Sequence, residues 1–87
     1  MINYNLRESR IMDFEVTSEG SIDLDSATYR ILKGDVPVAE GNCEINNSIL
    51  SIPWTAEAEG GYTIQITVTA GNTVRVFTDY IYVRSRI

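Results

Sequence analysis

The chain has no histidine, a single cysteine and twelve acidic side chains, and those counts limit the chemistry available to it. Histidine is the usual base near neutral pH and the commonest transition-metal ligand. Cys43 therefore has no imidazole to activate it, and a thiol nucleophile needs both a base and an orienting group. Its expected role is to fill core volume. The carboxylates fall in pairs two residues apart, at Asp13/Glu15, Asp23/Asp25 and Glu57/Glu59. On a strand that spacing sets both members on one side, whereas glycoside hydrolysis needs two carboxyl groups facing across a cleft. Asp23, Asp25 and Asp35 offer hard oxygen ligands to calcium, but no EF-hand-like spacing organises them, so turn caps and solvated faces are the expectation. Asn46-Asn47-Ser48 fits a glycosylation acceptor pattern and reads more simply as a turn. The expectation is a non-enzyme with no catalytic residues, no metal and no cofactor.

Charge narrows the partners. Seven Lys and Arg stand against twelve Asp and Glu, a net charge of -5. Nucleic-acid binding calls for a basic stripe that recruits phosphates, and the basic residues here are dispersed, apart from Arg84 and Arg86. No segment has the length of apolar sequence that a membrane helix needs, and the opening residues lack the apolar run of a secretory signal. One cysteine leaves no internal disulfide, which fits synthesis in a reducing cytoplasm. Eighty-seven residues suit one domain with a modest stability margin.

The elements that must position these side chains follow a period of two. Tyr62, Ile64, Ile66 and Val68 alternate with Thr63, Gln65, Thr67 and Thr69, the pattern of a strand with one buried face. Met12, Phe14 and Val16 repeat it, as do Ile22 with Leu24, Ala27 with Tyr29 and Ile31, Cys43 with Ile45, and Leu50 with Ile52 and Trp54. Gly and Asn clusters separate the runs at Glu19-Gly20, Lys33-Gly34-Asp35, Asn46-Asn47-Ser48 and Glu59-Gly60-Gly61. Ala70-Gly71-Asn72-Thr73 should make a tight hairpin, with Gly71 or Asn72 at the strained position. Pro37 and Pro53 belong at strand ends or an edge. Thr55-Ala56-Glu57-Ala58-Glu59 could form a short helical turn. About seven strands at this spacing predict an antiparallel β-sandwich or small barrel.

The last strand, residues 74–83, breaks the simple rule. Val74, Val76, Tyr80 and Tyr82 share one phase, while Phe77, Ile81 and Val83 take the other. Either the strand switches faces near Thr78-Asp79 through a bulge or bend, or one face meets the core and the other a neighbouring molecule. Trp54 is a core or rim anchor or an interface residue. Residues 1–10 form an arm or edge strand, in which Tyr4 and Leu6 could dock on a neighbour by strand addition. Tyr4, Leu6, Trp54, Phe77, Tyr80 and Tyr82 are thus the interface candidates. Phe14, Tyr29, Ile31, Gly61, Tyr62, Ile64, Ile66 and Val68 are the structural ones.

Ala56-Glu57-Ala58-Glu59-Gly60-Gly61-Tyr62 resembles the approach to strand F of immunoglobulin-like domains, in which a tyrosine hydroxyl returns to the backbone of the preceding turn. Tyr62 is the matching position, and the intersheet cysteine pair of antibody domains is absent. More broadly, residues 11–83 resemble the small immunoglobulin-like modules of tailed-bacteriophage virions, including the N-terminal domains of baseplate upper proteins. The resemblance runs through Phe14-Glu15-Val16-Thr17 and Ile22-Asp23-Leu24-Asp25-Ser26-Ala27-Thr28-Tyr29-Arg30-Ile31. It continues through Leu50-Ser51-Ile52 and Gly61-Tyr62-Thr63-Ile64-Gln65-Ile66. It implies an immunoglobulin-like sandwich over residues 11–87 and a non-catalytic structural, adaptor or decoration protein of a phage head, neck or tail. Such a protein would be made in the host cytoplasm, reside in the virion, and dock on other virion proteins or on itself in a symmetric assembly. Because baseplate proteins continue into further domains, a chain ending at Ile87 fits a free-standing accessory protein better. A cell-surface or carbohydrate-binding module is the alternative, requiring an exposed aromatic platform built from Trp54 or from Tyr80 and Tyr82.

Overall fold

The structure, a computed structural model, describes residues 1–16 and 24–85. Among them run eight strands: β1 (Ile2–Asn5), β2 (Ser9–Glu15), β3 (Ser26–Lys33), β4 (Val36–Asn42), β5 (Glu44–Asn46), β6 (Ile49–Thr55), β7 (Gly60–Ala70) and β8 (Thr73–Arg84). They form two packed sheets, a larger one in the order β1-β8-β7-β3-β4 and a smaller one in the order β2-β6-β5. Every pairing is antiparallel except β1 with β8, which is parallel.

The centre of the larger sheet is β7, and its alternation fixes the core. Tyr62, Ile64, Ile66 and Val68 are buried, whereas Thr63, Gln65, Thr67 and Thr69 are only half-covered on the opposite face. β-Branched side chains fill a pleated surface with little loss of rotamer freedom, so this row packs as one continuous ridge. Register carries it sideways: Ile31 lies opposite Ile64 and Ile81 opposite Tyr62. Leu50 and Ile52 of β6 close the interior from the smaller sheet, both essentially inaccessible to solvent. Cys43 is a free, buried thiol in the same cluster. Of the other structural candidates, Phe14 and Tyr29 pack half-buried against the core. Gly61 is exposed at the start of β7, opposite Tyr82.

Turn chemistry accounts for the corners. The β7–β8 hairpin closes between Ala70 and Thr73, and Gly71 takes the left-handed conformation with φ of 59°. The Asp25 carboxylate accepts the Gly71 N–H at 2.6 Å. Asn47 makes the β5–β6 turn with φ of 57°. Pro53 lies on β6, where β5 pairs only with Ile49, Leu50 and Ser51, so its missing donor faces no strand on that side. Pro37 lies on the edge strand β4.

Four sequence expectations change. The β7–β8 register runs unbroken from Gly60↔Val83 to Ala70↔Thr73, so no bulge lies near Thr78-Asp79; the irregularity sits in β3–β4, between Ile31 and Leu32. Thr55-Ala56-Glu57-Ala58-Glu59 is not helical. Thr55 ends β6 and Ala56 is buried, its carbonyl accepting from the Arg7 N–H at 2.7 Å and its N–H donating to the Glu8 carbonyl at 3.1 Å. The backbone of Ala56 is already committed to the β1–β2 turn, which an intrahelical ladder would have to break. The strand count gains β4, and of the arm and edge-strand alternatives for residues 1–10 the structure has the edge strand β1. Of the predicted Ile22–Leu24 strand, Ile22 and Asp23 lie outside the described residues, as does the Glu19-Gly20 turn, and Leu24 is not in a strand.

Deleting inner-row volume should therefore cost far more than trimming the opposite face. Ile64→Ala is expected to lose about 2–5 kcal/mol and Thr63→Ala less than about 1 kcal/mol, measured by urea unfolding of the two variants side by side. Equal losses would contradict this assignment of faces.

Candidate functional site

Aromatic and charged side chains gather in two places, at the end of the sandwich near β1 and along β8. At the first, Trp54 is flanked by Tyr4 and Tyr62, each ring centroid 5.1 Å from its own and packed edge-on. Such pairs add to plain area burial because the positive edge of one ring meets the negative face of the next. Tyr4 is 1% exposed, with its hydroxyl 3.3 Å from the Arg10 carbonyl and 3.4 Å from that of Trp54. The Arg10 guanidinium lies 4.2 Å above the Tyr4 ring and donates to the Asn3 carbonyl at 2.7 Å. The Tyr62 hydroxyl donates to the Ala58 carbonyl at 2.7 Å, and Lys33 reaches from β3 to the Glu59 carbonyl at 3.0 Å. This end is held together by its own contacts.

Three interface candidates, Tyr4, Leu6 and Trp54, are corrected by that arrangement. Tyr4 is a core residue, because β1 adds its strand to β8 of the same chain and Ile2↔Ile81 and Tyr4↔Val83 register turns the ring inward. Leu6 is half-buried against the core, and its N–H donates to the Arg84 carbonyl at 2.7 Å. Trp54 is half-buried in the tyrosine pair and forms no exposed platform. Sequence periodicity could not reveal this, since Tyr4 is the only aromatic in residues 1–10 and the ring it packs against, Trp54, lies fifty residues away.

Along β8 the two faces separate cleanly. The inner row buries Ile81 and Val83 but leaves Phe77 42% exposed. The outer row presents Val74, Val76, Tyr80 and Tyr82, which are 46–62% exposed. A strand that carries apolar residues on both faces and is covered on one leaves an exposed row rich in apolar side chains, interrupted by Thr78, and exposed apolar surface of this kind is common where proteins meet. The Arg84 guanidinium stands 6.0 Å over the Tyr82 ring. Beside Phe77 a groove of about 220 Å³ opens between the sheets, lined by Phe14, Val16, Leu50, Ile66 and Phe77 with Glu15 and Asp79 at its polar side. A second, polar recess of about 290 Å³ lies among Asn3, Asn5, Glu8, Arg10 and Arg84, where Glu8 is paired with Arg10 and accepts the Asn5 N–H.

The remaining acidic candidates do not converge. Asp25 precedes β3 and Asp35 follows it, so the length of that strand separates them, and Asp23 lies outside the described residues. Asp13 accepts from the Ser51 hydroxyl at 2.7 Å. Among the described residues no group of three or more His, Cys, Asp or Glu is placed to share a metal ion, and no helix is long and apolar enough to cross a membrane.

No protein-family model matches the chain, and no curated protein matches it in sequence. A crystal structure of an engineered protein from the Northeast Structural Genomics Consortium superimposes with a TM-score of 0.79 at 17% identity, over 95% of this chain. This chain spans 18% of that protein's length. The likeness is one of fold alone. Sites are grafted on folds and do not travel with them, so β8 has to be judged on its own geometry.

Burial raises the Tyr4 hydroxyl above the usual tyrosine value, with the Arg10 hydrogen bond and charge opposing. Burial, followed by the Glu57 charge, raises Tyr62 as well, and burial pushes up the Cys43 thiol. Both tyrosines thus hold their protons more tightly folded than unfolded. Their contribution is fully present below about pH 10 and is lost as pH climbs through the raised folded values. Urea midpoints taken across alkaline pH should fall above that point, and less steeply in Tyr4→Phe/Tyr62→Phe. A midpoint indifferent to alkali would contradict the buried placement.

Proposed function

We propose that the chain is an immunoglobulin-like sandwich module that works by docking, as a non-catalytic structural, adaptor or decoration component of a bacteriophage particle. The observation that carries the docking reading is the outer row of β8, where Val74, Val76, Tyr80 and Tyr82 stand exposed on the face away from the core. A small domain gains little from holding four large apolar side chains in water, and tyrosine is enriched where surfaces meet. The immunoglobulin-like reading draws support from the Tyr62 hydroxyl bonded to the Ala58 carbonyl and from the parallel β1–β8 pair beside antiparallel β7. The phage setting rests on the sequence resemblance over residues 11–83.

A second reading, a carbohydrate-binding module, is favoured by one feature. Tyr80 and Tyr82 are two residues apart on one face and both exposed, which could present rings to a sugar. The Arg84 guanidinium over Tyr82 and the valines beside them fit a protein surface better.

Purified particles from a culture expressing the chain provide the test. The chain should co-sediment with them in a fixed copy number, and Val76→Ser/Tyr80→Ser should release it while shifting the urea unfolding free energy by no more than about 0.5 kcal/mol. A chain that stays in the low-mass fraction, or binds equally well with both substitutions, would contradict the proposal. Retention on immobilised glycans that is lost with Tyr80→Ser/Tyr82→Ser would favour the second reading.

A further inference from the structure

β2 is the outermost strand of the smaller sheet, and among the described residues it pairs with β6 alone. Its free side can be assigned residue by residue. At one end of the ladder the Ala56 N–H donates to the Glu8 carbonyl, and at the other the Val16 N–H donates to the Ser48 carbonyl. Opposed residues of an antiparallel pair exchange both bonds or neither, in alternation. Arg10, Met12 and Phe14 therefore turn their backbone groups to β6, while Ser9, Ile11, Asp13 and Glu15 turn theirs outward. β1 lies beside the start of the strand, where Arg10 donates to the Asn3 carbonyl. The open run is Ile11 to Glu15, and an edge of this kind is a template for another strand.

We propose that this edge takes an extended segment of another protein in which a large apolar residue stands between two basic ones, adding a strand to the smaller sheet. The apolar groove between the sheets lies at the same strand: Phe14 and Val16 line it from one side and Phe77 of β8 from the other. Opposed residues of paired strands share a face, so the residue set against Phe14 directs its side chain inward, to the groove. An apolar cavity of about 150 Å³ holds a benzene ring, and the groove of about 220 Å³ has room for a leucine or phenylalanine side chain.

Charge selects the residues on either side of that anchor. The outer row of β2 runs Ser9, Ile11, Asp13, Glu15, with two exposed carboxylates and no base. Asp13 accepts the Ser51 hydroxyl on one oxygen and keeps the other, and Glu15 is in no ion pair among the described residues. Opposite charges across a strand pair favour pairing and like charges oppose it, so Asp13 and Glu15 call for lysine or arginine on both sides of the residue facing Phe14. Asp79, on the far wall of the groove, has no part in this choice, because the Met1 ammonium stands 3.9 Å away and its own carboxylate accepts the Tyr80 N–H. A second β2 would bring the same carboxylates to the shared row. No other segment of this chain fits either: Arg84 and Arg86 are its one pair of bases two residues apart, and Ser85 stands between them. The occupant is therefore a different protein.

This surface is separate from the exposed row of β8, and it is tested on the purified chain without particles, so the two readings can fail separately. The probe is a synthetic heptapeptide, Thr-Val-Lys-Leu-Lys-Val-Thr, titrated while the amide resonances of the full chain are followed. The amides of Ile11, Asp13 and Glu15 should shift and gain protection from exchange, and those of β4 should not. Glutamate in place of both lysines, serine in place of the leucine, or N-methylation of both lysine amides should each weaken binding by about tenfold or more. The methylated peptide leaves the protein untouched, so a loss there cannot come from misfolding. Asp13→Lys/Glu15→Lys should reverse the preference, so that the glutamate peptide binds better. Unmoved β2 amides, equal binding of the lysine and glutamate peptides, indifference to N-methylation, or protection of Ile11 and Asp13 that rises with chain concentration alone, the mark of a second copy, would overturn the proposal.

Discussion

The inner row of β7 is the constraint on which the rest of the structure depends. Tyr62, Ile64, Ile66 and Val68 lie under the smaller sheet, and a slip of one residue would exchange that row for Thr63, Gln65, Thr67 and Thr69. Threonine and glutamine in the interior would leave polar groups without water, so the register of β3 and β8 against β7 is fixed by what those side chains cannot tolerate. The exposed row of β8 inherits its orientation from this pairing. Val76 faces out because Thr67, its partner on β7, faces out.

The same rule that protects the core creates the exposed strip. β8 carries apolar residues in both phases, and a strand in a two-layer sandwich has only one covered face. Its far end is sealed on the edge by β1 and inside by Ile81 and Val83, while its near end is open at the edge, on the outer face and in the groove beside Phe77. The chain therefore has one rigid end, tied by Tyr4, Trp54 and Tyr62, and one strand whose interactions are left incomplete. Pairing with β7 along almost its whole length holds the exposed row of β8 in place.

Much of this was legible from residue order, and the exceptions have physical causes. Strict alternation marked β7, β3 and β6, and Gly71 marked the hairpin, because period-two burial and positive φ leave direct traces in sequence. β4 left none: it is an exposed edge strand, bulged against β3 and carrying Pro37, so no buried row repeats along it. Residues 1–10 read only as an arm or edge strand, since one buried tyrosine in four residues gives no period and the strand that β1 pairs with lies at the opposite end of the chain. The alanines and glutamates before β7 have helical propensity, which lost to backbone bonds with the β1–β2 turn. On β8 the sequence showed that both faces are apolar. It could not show that the face carrying Val74 and Tyr80 is the uncovered one, because that depends on register with β7.

Native-state hydrogen exchange, resolved residue by residue, tests the central claim most directly. If the β7 row organises the fold, amides across residues 62–68 should exchange only through global unfolding, with protection matching the free energy from denaturant. Amides of β4 should open locally and exchange faster. Fast local exchange through residues 62–68, or the strongest protection lying in β4, would contradict the account.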